Sequence, residues 1–149
     1  MSIVIREGIK EDVPVMFELI KELALYENAP EQVTNTVEQM YVDGFGENPI
    51  FGSIVAEFDG NVVGLALYYY RYSTWKGKRL YLEDLIVSEK MRGKGLGEKL
   101  LEATIQKAKD TACTGVMWQV LDWNEPAINF YKKFGVRFDA EWLNVHLDF

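Results

Sequence analysis

Ile86-Val87-Ser88-Glu89-Lys90-Met91-Arg92-Gly93-Lys94-Gly95-Leu96-Gly97 is the stretch on which the fold turns. An apolar run enters a turn with glycine at every second position. A helical pattern begins there and continues to about Lys109, with Leu96, Leu100, Leu101, Thr104, Ile105 and Ala108 on one face. Glycine lets a backbone approach a ligand closely, and the first amides of a helix have no partner inside it. Those amides, with the positive end of the helix dipole, suit a diphosphate. Lys90, Arg92 and Lys94 add charge of the right sign. The spacing is neither the Gly-x-Gly-x-x-Gly of dinucleotide folds nor a P-loop, which needs Gly-Lys-Ser/Thr. The alternative is a glycine turn that only links strand to helix.

Working outward, Ile3-Val4-Ile5 reads as an opening strand and residues 11–27 as a helix, with Met16, Leu19, Ile20, Leu23 and Tyr26 on one face. Pro14 fits only the first turn, so that helix starts near Lys10 to Asp12. A short helix is expected over Val37 to Val42, stopped by Gly44 and Gly46. Ser53 to Phe58 and Val62 to Tyr72 read as a hairpin through Asp59-Gly60-Asn61. Leu80 to Val87 and Val116 to Leu121 follow as strands, Pro126 to Phe134 as a helix and Trp142 to Leu147 as a closing strand. A further short strand is expected near Val136 to Phe138. Consecutive strands early and β-α-β later predict an α/β fold, a mixed and mostly antiparallel sheet flanked by helices. No linker or repeat interrupts the 149 residues, so residues 1–149 are expected to form a single domain.

Composition narrows the function. A chain 48% hydrophobic and 26% charged is neither disordered nor fibrous. No apolar run approaches the ~20 residues of a membrane span, and Met1-Ser2-Ile3 begins a strand rather than a signal peptide, so no membrane partner is expected. A lone cysteine, Cys113, fits a reducing, cytoplasmic compartment. With one histidine, His146, it makes a metal site unexpected. The net charge of −7 makes nucleic acid a poor partner. Residues 1–60 hold twelve acids against three bases, whereas residues 61–149 hold thirteen bases against eleven acids. A cationic small molecule would be drawn to the first half and an anion held by the second.

Two carboxylates interrupt an apolar strand at Leu80-Tyr81-Leu82-Glu83-Asp84-Leu85-Ile86-Val87. Neighbouring strand residues point to opposite faces, so Glu83 and Asp84 cannot serve one spot equally. Each needs a partner or a purpose, because a buried unpaired carboxylate is costly. A strand end or a nearby base such as Lys78 is the structural explanation, with more weight for Asp84 than for Glu83. Tyr131 on a helix face reads as core from spacing alone, and His146 as structural or surface.

Several separated segments carry a resemblance. Arg92-x-x-Gly95-x-Gly97 resembles the acetyl-CoA motif of the GNAT superfamily of N-acetyltransferases. Leu19-Ile20-Lys21-Glu22-Leu23-Ala24, Asp43-Gly44-Phe45-Gly46, Tyr81-Leu82-Glu83-Asp84 and Trp123-Asn124-Glu125-Pro126 are similar to its diamine (spermidine/spermine) acetyltransferase group, and Ile128-Asn129-Phe130-Tyr131-Lys132 extends the match. The resemblance implies a GNAT-like fold, acetyl-CoA as co-substrate and a homodimer. It implies that the amides of Arg92, Gly93, Lys94, Gly95, Leu96 and Gly97 hold the diphosphate of CoA. Leu85, Ile86 and Val87, with Asn124, are implied to hold its pantetheine arm. Glu83 is implied to accept the amine's proton and Tyr131 to give one to the leaving thiolate; Tyr26, Glu27, Glu83 and Trp75 are implied to contact the amine.

The chemistry agrees. An alkylamine is protonated at neutral pH, its pKa near ~10 by analogy with lysine, and an ammonium cannot attack a thioester. A carboxylate can orient it and accept its proton, directly or through water. Some of Tyr68, Tyr69, Tyr70 and Tyr72 would line a groove for the cation. Cys113 has no partner for a covalent acetyl-cysteine, so direct transfer in a ternary complex is expected. One departure bears on the substrate. Polyamine-selective members carry an acid shortly before the tryptophan, whereas this chain has Tyr72-Ser73-Thr74-Trp75-Lys76-Gly77, wording similar to the thialysine branch. The tail, Phe138-Asp139-Ala140-Glu141-Trp142, also replaces a longer acidic segment. The expected function is N-acetylation of a primary amine on a thialysine-like amino acid or a diamine or polyamine. The rivals are a non-catalytic CoA-binding or sensing domain and an enzyme acetylating proteins or peptides.

Overall fold

The computed structural model describes residues 2–149; Met1, placed by the sequence at the start of the opening strand, lies outside them. β1 (Ile3–Glu7) leads through one 3-10 turn at Lys10–Asp12 into α1 (Val13–Tyr26), with Pro14 in the first turn as its missing N–H requires. Asp12 fixes that entry. Its Oδ2 accepts from the Ile9 amide at 2.8 Å, and its two oxygens accept from the Arg6 guanidinium at 2.8 and 3.0 Å.

α2 (Val37–Phe45) begins under Thr36, whose Oγ1 accepts from the Gln39 amide at 3.1 Å. The expected stop at Gly44 is corrected: the helix runs through Gly44 and ends at Gly46. A β-carbon on Gly44 would lie 2.2 Å from the Phe51 ring, so this glycine makes room for packing rather than breaking the helix.

β2 (Gly52–Phe58) and β3 (Asn61–Ser73) are joined by Asp59 and Gly60, both left-handed at φ 50° and 85°, the two-residue turn that the Asp-Gly pair announces. β4 (Gly77–Val87) returns beside β3 after a tight turn in which Ser73 Oγ accepts from the amides of Trp75 and Lys76. α3 (Leu96–Asp110), β5 (Val116–Met117) and α4 (Glu125–Lys132) complete the order. The sheet runs β1-β2-β3-β4-β5, antiparallel from β1 to β4 and parallel between β4 and β5.

α1 and α2 cover one face, where Val13, Met16, Leu19 and Met40 meet Val55, Leu65, Leu67 and Ile86. Gly64, alternating with Leu65, serves the opposite face, where a β-carbon would stand 2.9 Å from Leu100 Cδ1 of α3. Leu96, Leu100, Leu101, Thr104 and Ala108 bury that helix, the stripe its spacing predicts.

The chain forms two compact units, one through Trp118 and one of Gln119–Phe149. Three strand expectations are corrected at this end. The strand expected over Val116 to Leu121 is only Val116–Met117, and neither Val136 to Phe138 nor Trp142 to Leu147 is a strand. An alternating pattern states which faces would be apolar, but a ladder needs a neighbouring strand, and the second unit contains a helix and no strand. Leu143, Val145 and Leu147 are accordingly 89%, 92% and 84% exposed.

Candidate active site

The turn before α3 is built on backbone conformation. Gly93 and Gly95 are left-handed, φ 80° and 77°, and a β-carbon on either would meet nothing within 4 Å. The glycines therefore supply a conformation other residues resist, and the space beside them is open. Lys99 is the first amide to close the helix, on the Gly95 carbonyl at 3.2 Å, so the amides of Leu96, Gly97 and Glu98 are left for an outside acceptor. Buried Leu96 anchors this end, while Arg92 and Lys94 are exposed beside it.

The last turns of α1 brace this turn. Glu22 Oε1 accepts from the Glu89 amide at 3.2 Å, and the Arg92 guanidinium lies 5.3 Å from the centre of the Tyr26 ring. Arg92 Nε also donates to the Val87 carbonyl at 3.3 Å. Tyr26 thus touches the glycine turn.

β4 is irregular where its carboxylates stand. Leu67 pairs with Asp84 but Tyr68 pairs with Leu82, so Glu83 is an extra residue in a β-bulge. The bulge resolves the difficulty of adjacent acids pointing apart: both influence one face. On its other side β4 pairs with β5 only at Leu80 and Tyr81. Past Tyr81 no described strand pairs with that edge of residues 83–87, the kind of edge an extended ligand can join. Leu85 and Val87 are half-buried there, and Ile86 points into the core.

Around the bulge the sheet face carries Glu83, Asp84, Tyr69, Tyr81 and Arg71, with Glu27 at the end of α1 close enough for its charge to act on Asp84. Asp84 is pushed up to about 7 by burial first, then by the charges of Glu83 and Glu27. Burial also raises Glu27, in the residue that ends α1. Tyr69 and Tyr81 face each other with ring centres 5.2 Å apart. Burial raises both phenols, and the Glu83 carboxylate raises them further. Of the four tyrosines expected to line a cation groove, Tyr69 therefore stands beside Glu83, whereas Tyr68 meets Tyr70 edge-on with ring centres 6.0 Å apart and feels Lys107 of α3.

Trp75 is placed elsewhere in this unit. It is 85% exposed at the β3–β4 hairpin tip, and Gly77 to Glu83 alone spans about 20 Å of strand. In the second unit Asn124 is 8% exposed and caps α4, its Oδ1 accepting from the Ala127 amide at 3.4 Å. Tyr131 is half-buried in the last turn, its ring 5.5 Å from that of Phe130.

The sequence points to Glu83 as the functional acid and to a structural explanation for Asp84; the bulge buries Asp84 more deeply than Glu83. Arg71 and Glu22 join the site only through the tertiary structure. The signal available for Asp84 was its place in an apolar strand; no signal marked Arg71, whose surroundings come from the β3–β4 register.

Residues 16–136 match the model of the acetyltransferase (GNAT) family. The chain is 41% identical over 144 residues to a thialysine N-epsilon-acetyltransferase of Sus scrofa, covering 91% of this chain and 85% of that protein. With the Mus musculus protein of the same name it shares 39% over 155 residues, 97% and 91% of the two chains. Among solved structures, an aminoglycoside acetyltransferase from an uncultured soil metagenomic sample superposes with a TM-score of 0.80 over 99% of this chain and 96% of that one, at 19% identity, which speaks for the fold. No helix of the described residues is long and apolar enough to cross a membrane. With that fold and those relatives, this chain belongs to the GNAT family, as an N-acetyltransferase of the thialysine and diamine acetyltransferase group.

Proposed function

We propose that the chain moves an acetyl group from acetyl-CoA to the primary amine of a small cationic substrate, a thialysine-like amino acid before a diamine or polyamine. The observation that carries this reading is the pair of left-handed glycines, Gly93 and Gly95, opening onto the free amides of a 15-residue helix. That turn, in a chain of this family, supports a diphosphate site here. The group that binds there supplies an activated acetyl thioester; the chain's residues supply the rest.

In this reading the amides of Gly93 to Gly97 and the side chains of Arg92 and Lys94 hold the diphosphate. The unpaired edge of residues 85–87 takes the extended arm, and a contact of Asn124 with that arm is what the family resemblance implies. Glu83 accepts the proton that leaves the ammonium, directly or through water, and Asp84 and Glu27 hold negative potential beside it. As the N–C bond forms and the C–S bond breaks, Tyr131 gives its phenolic proton to the departing sulfur and is reprotonated from solvent, which also takes the second proton the nitrogen sheds on becoming an amide. The roles of Asn124 and Tyr131, the action of residues 1–149 as one domain and a homodimer rest on the family resemblance.

A non-catalytic CoA-binding domain is the competing reading, and the presence of Glu83, Asn124 and Tyr131 together speaks against it. CoA release measured with lysine analogues, diamines and spermine separates the two. Turnover is expected with thialysine and short diamines ahead of spermine. Heat of CoA binding without turnover on any amine overturns catalysis, and no heat at all overturns the cradle itself.

A further inference from the structure

Arg71 stands on β3 two residues beyond Tyr69, on the same face, and pairs in register with Arg79 of β4. Its guanidinium lies 5.7 Å from the centre of the Tyr81 ring, and its Nη1 donates to Met117 Sδ at 3.2 Å. Among the described residues no carboxylate lies within ion-pair distance of it. A thioether sulfur and an aromatic face orient a guanidinium while leaving its charge uncompensated. Arg79 is turned away, its guanidinium packed where a β-carbon on Gly115 would stand.

On that face, then, one cation stands at the end of a Tyr69–Tyr81 wall whose other end is acidic. Both phenols feel Glu83 and Arg71 with opposite signs. The guanidinium sits over Tyr81, and the α-carbons of Tyr81 and Glu83, two residues apart on the bulged strand, are at most about 7 Å apart. The side-chain nitrogen and the carboxylate of an extended lysine-like amino acid are also about 7 Å apart, six bonds of about 1.5 Å in zigzag.

We propose that Arg71 binds the α-carboxylate of a diamino-acid substrate whose side-chain amine lies at Glu83, and so selects zwitterionic amino acids over polyamines. The assignment deepens the reading above and rests on it. An arginine fork matches a carboxylate with two hydrogen bonds. The same charge repels the second ammonium of a polyamine laid along the aromatic wall. A polyamine laid the other way, toward Asp84 and Glu27, would leave Arg71 unused.

The test compares thialysine with bis(2-aminoethyl) sulfide, the same skeleton without the carboxylate, in the full chain and in its Arg71→Gln and Arg71→Lys variants. The parent is expected to favour thialysine by at least about 10-fold in kcat/KM. Arg71→Gln is expected to lose about 10- to 100-fold on thialysine, chiefly through KM, the range for a charge-assisted bond. On the sulfide diamine it is unchanged or gains, because the repulsion of the second ammonium is relieved, and Arg71→Lys restores part of the loss on thialysine. An equal loss on both substrates, no loss on either, or a parent that prefers the diamine overturns the assignment. CoA binding followed by calorimetry separates this failure from that of the reading beneath it: CoA bound with neither amine acetylated removes the enzymatic reading, and the role of Arg71 with it.

Discussion

The Arg92 guanidinium lies 5.3 Å above the Tyr26 ring, so a residue of the glycine turn rests on the end of the helix that carries Glu27. Stacking of this kind contributes about 0.5–1 kcal/mol at an exposed site. Tyr26→Leu is therefore expected to raise KM for acetyl-CoA two- to fivefold, and Tyr26→Phe to leave it unchanged. If Tyr26 contacts only the amine, Tyr26→Leu moves the amine KM alone.

Asp84 gives the molecule a pH dependence near neutrality. Its folded pKa of about 7 stands above the ~3.9 of an exposed aspartate, so folding favours the protonated carboxyl. Its contribution to stability is full below about pH 3.9 and is lost as pH rises through 7. Asp84→Asn should gain on the parent between pH 4 and 8, with a ceiling on the order of 4 kcal/mol at 1.36 kcal/mol per unit. Denaturant titrations across that range check it, and parallel curves for the two proteins would refute it. In turnover the charged form attracts the ammonium, so kcat/KM is expected to rise through pH 7 in the parent and to lose that step in the variant.

Tyr131→Phe keeps the ring against Phe130 and removes only the hydroxyl. A proton donor to the leaving thiolate accounts for at least about 10-fold in kcat, the lower part of the acid–base range. Single-turnover rates at saturating substrate provide the measurement; an unchanged rate removes Tyr131 from the reaction.

Away from the chemistry, Asp12 is the charged group on which the opening strand and α1 depend. It is buried, accepts from Ile9 and holds Arg6 in a two-point pair, while Arg6 also donates to Glu57 at 2.7 Å. Asp12→Ala is expected to cost about 2 kcal/mol in urea unfolding, because it leaves the Ile9 amide without its acceptor and Arg6 with Glu57 as its one remaining carboxylate partner. The hydrogen bonds from Arg6 hold the Asp12 carboxyl below the usual carboxylate range. That stability is present above about pH 3.9 and is lost as pH falls through the folded value. A loss under about 1 kcal/mol would show that the pair is only a surface contact.

Local chemistry made much of this legible in the sequence. Asp59-Gly60 could adopt paired left-handed angles, Pro14 could stand only in a first turn, and the stripe from Leu96 to Ala108 could only be a helix with one buried face. Gly93 and Gly95 belong with these, because their conformation is forbidden to most other residues. Gly44 reads as a breaker in the sequence because the ring that needs its space belongs to Phe51, outside the helix. The tail reads as a strand because alternation at Leu143, Val145 and Leu147 names faces and never a partner.

The site divides the same way. Residue order alone determined that carboxylates interrupt an apolar strand and that a glycine turn follows it. Which acid is buried, that Glu83 is the extra residue of a bulge, and that Tyr81 lies between Glu83 and Arg71 were decided by the register of β3 against β4 and by the packing of α1 over both. Residues distant along the chain meet only when strands pair, and burial, which moves a carboxyl to neutrality, is a property of the assembled neighbours.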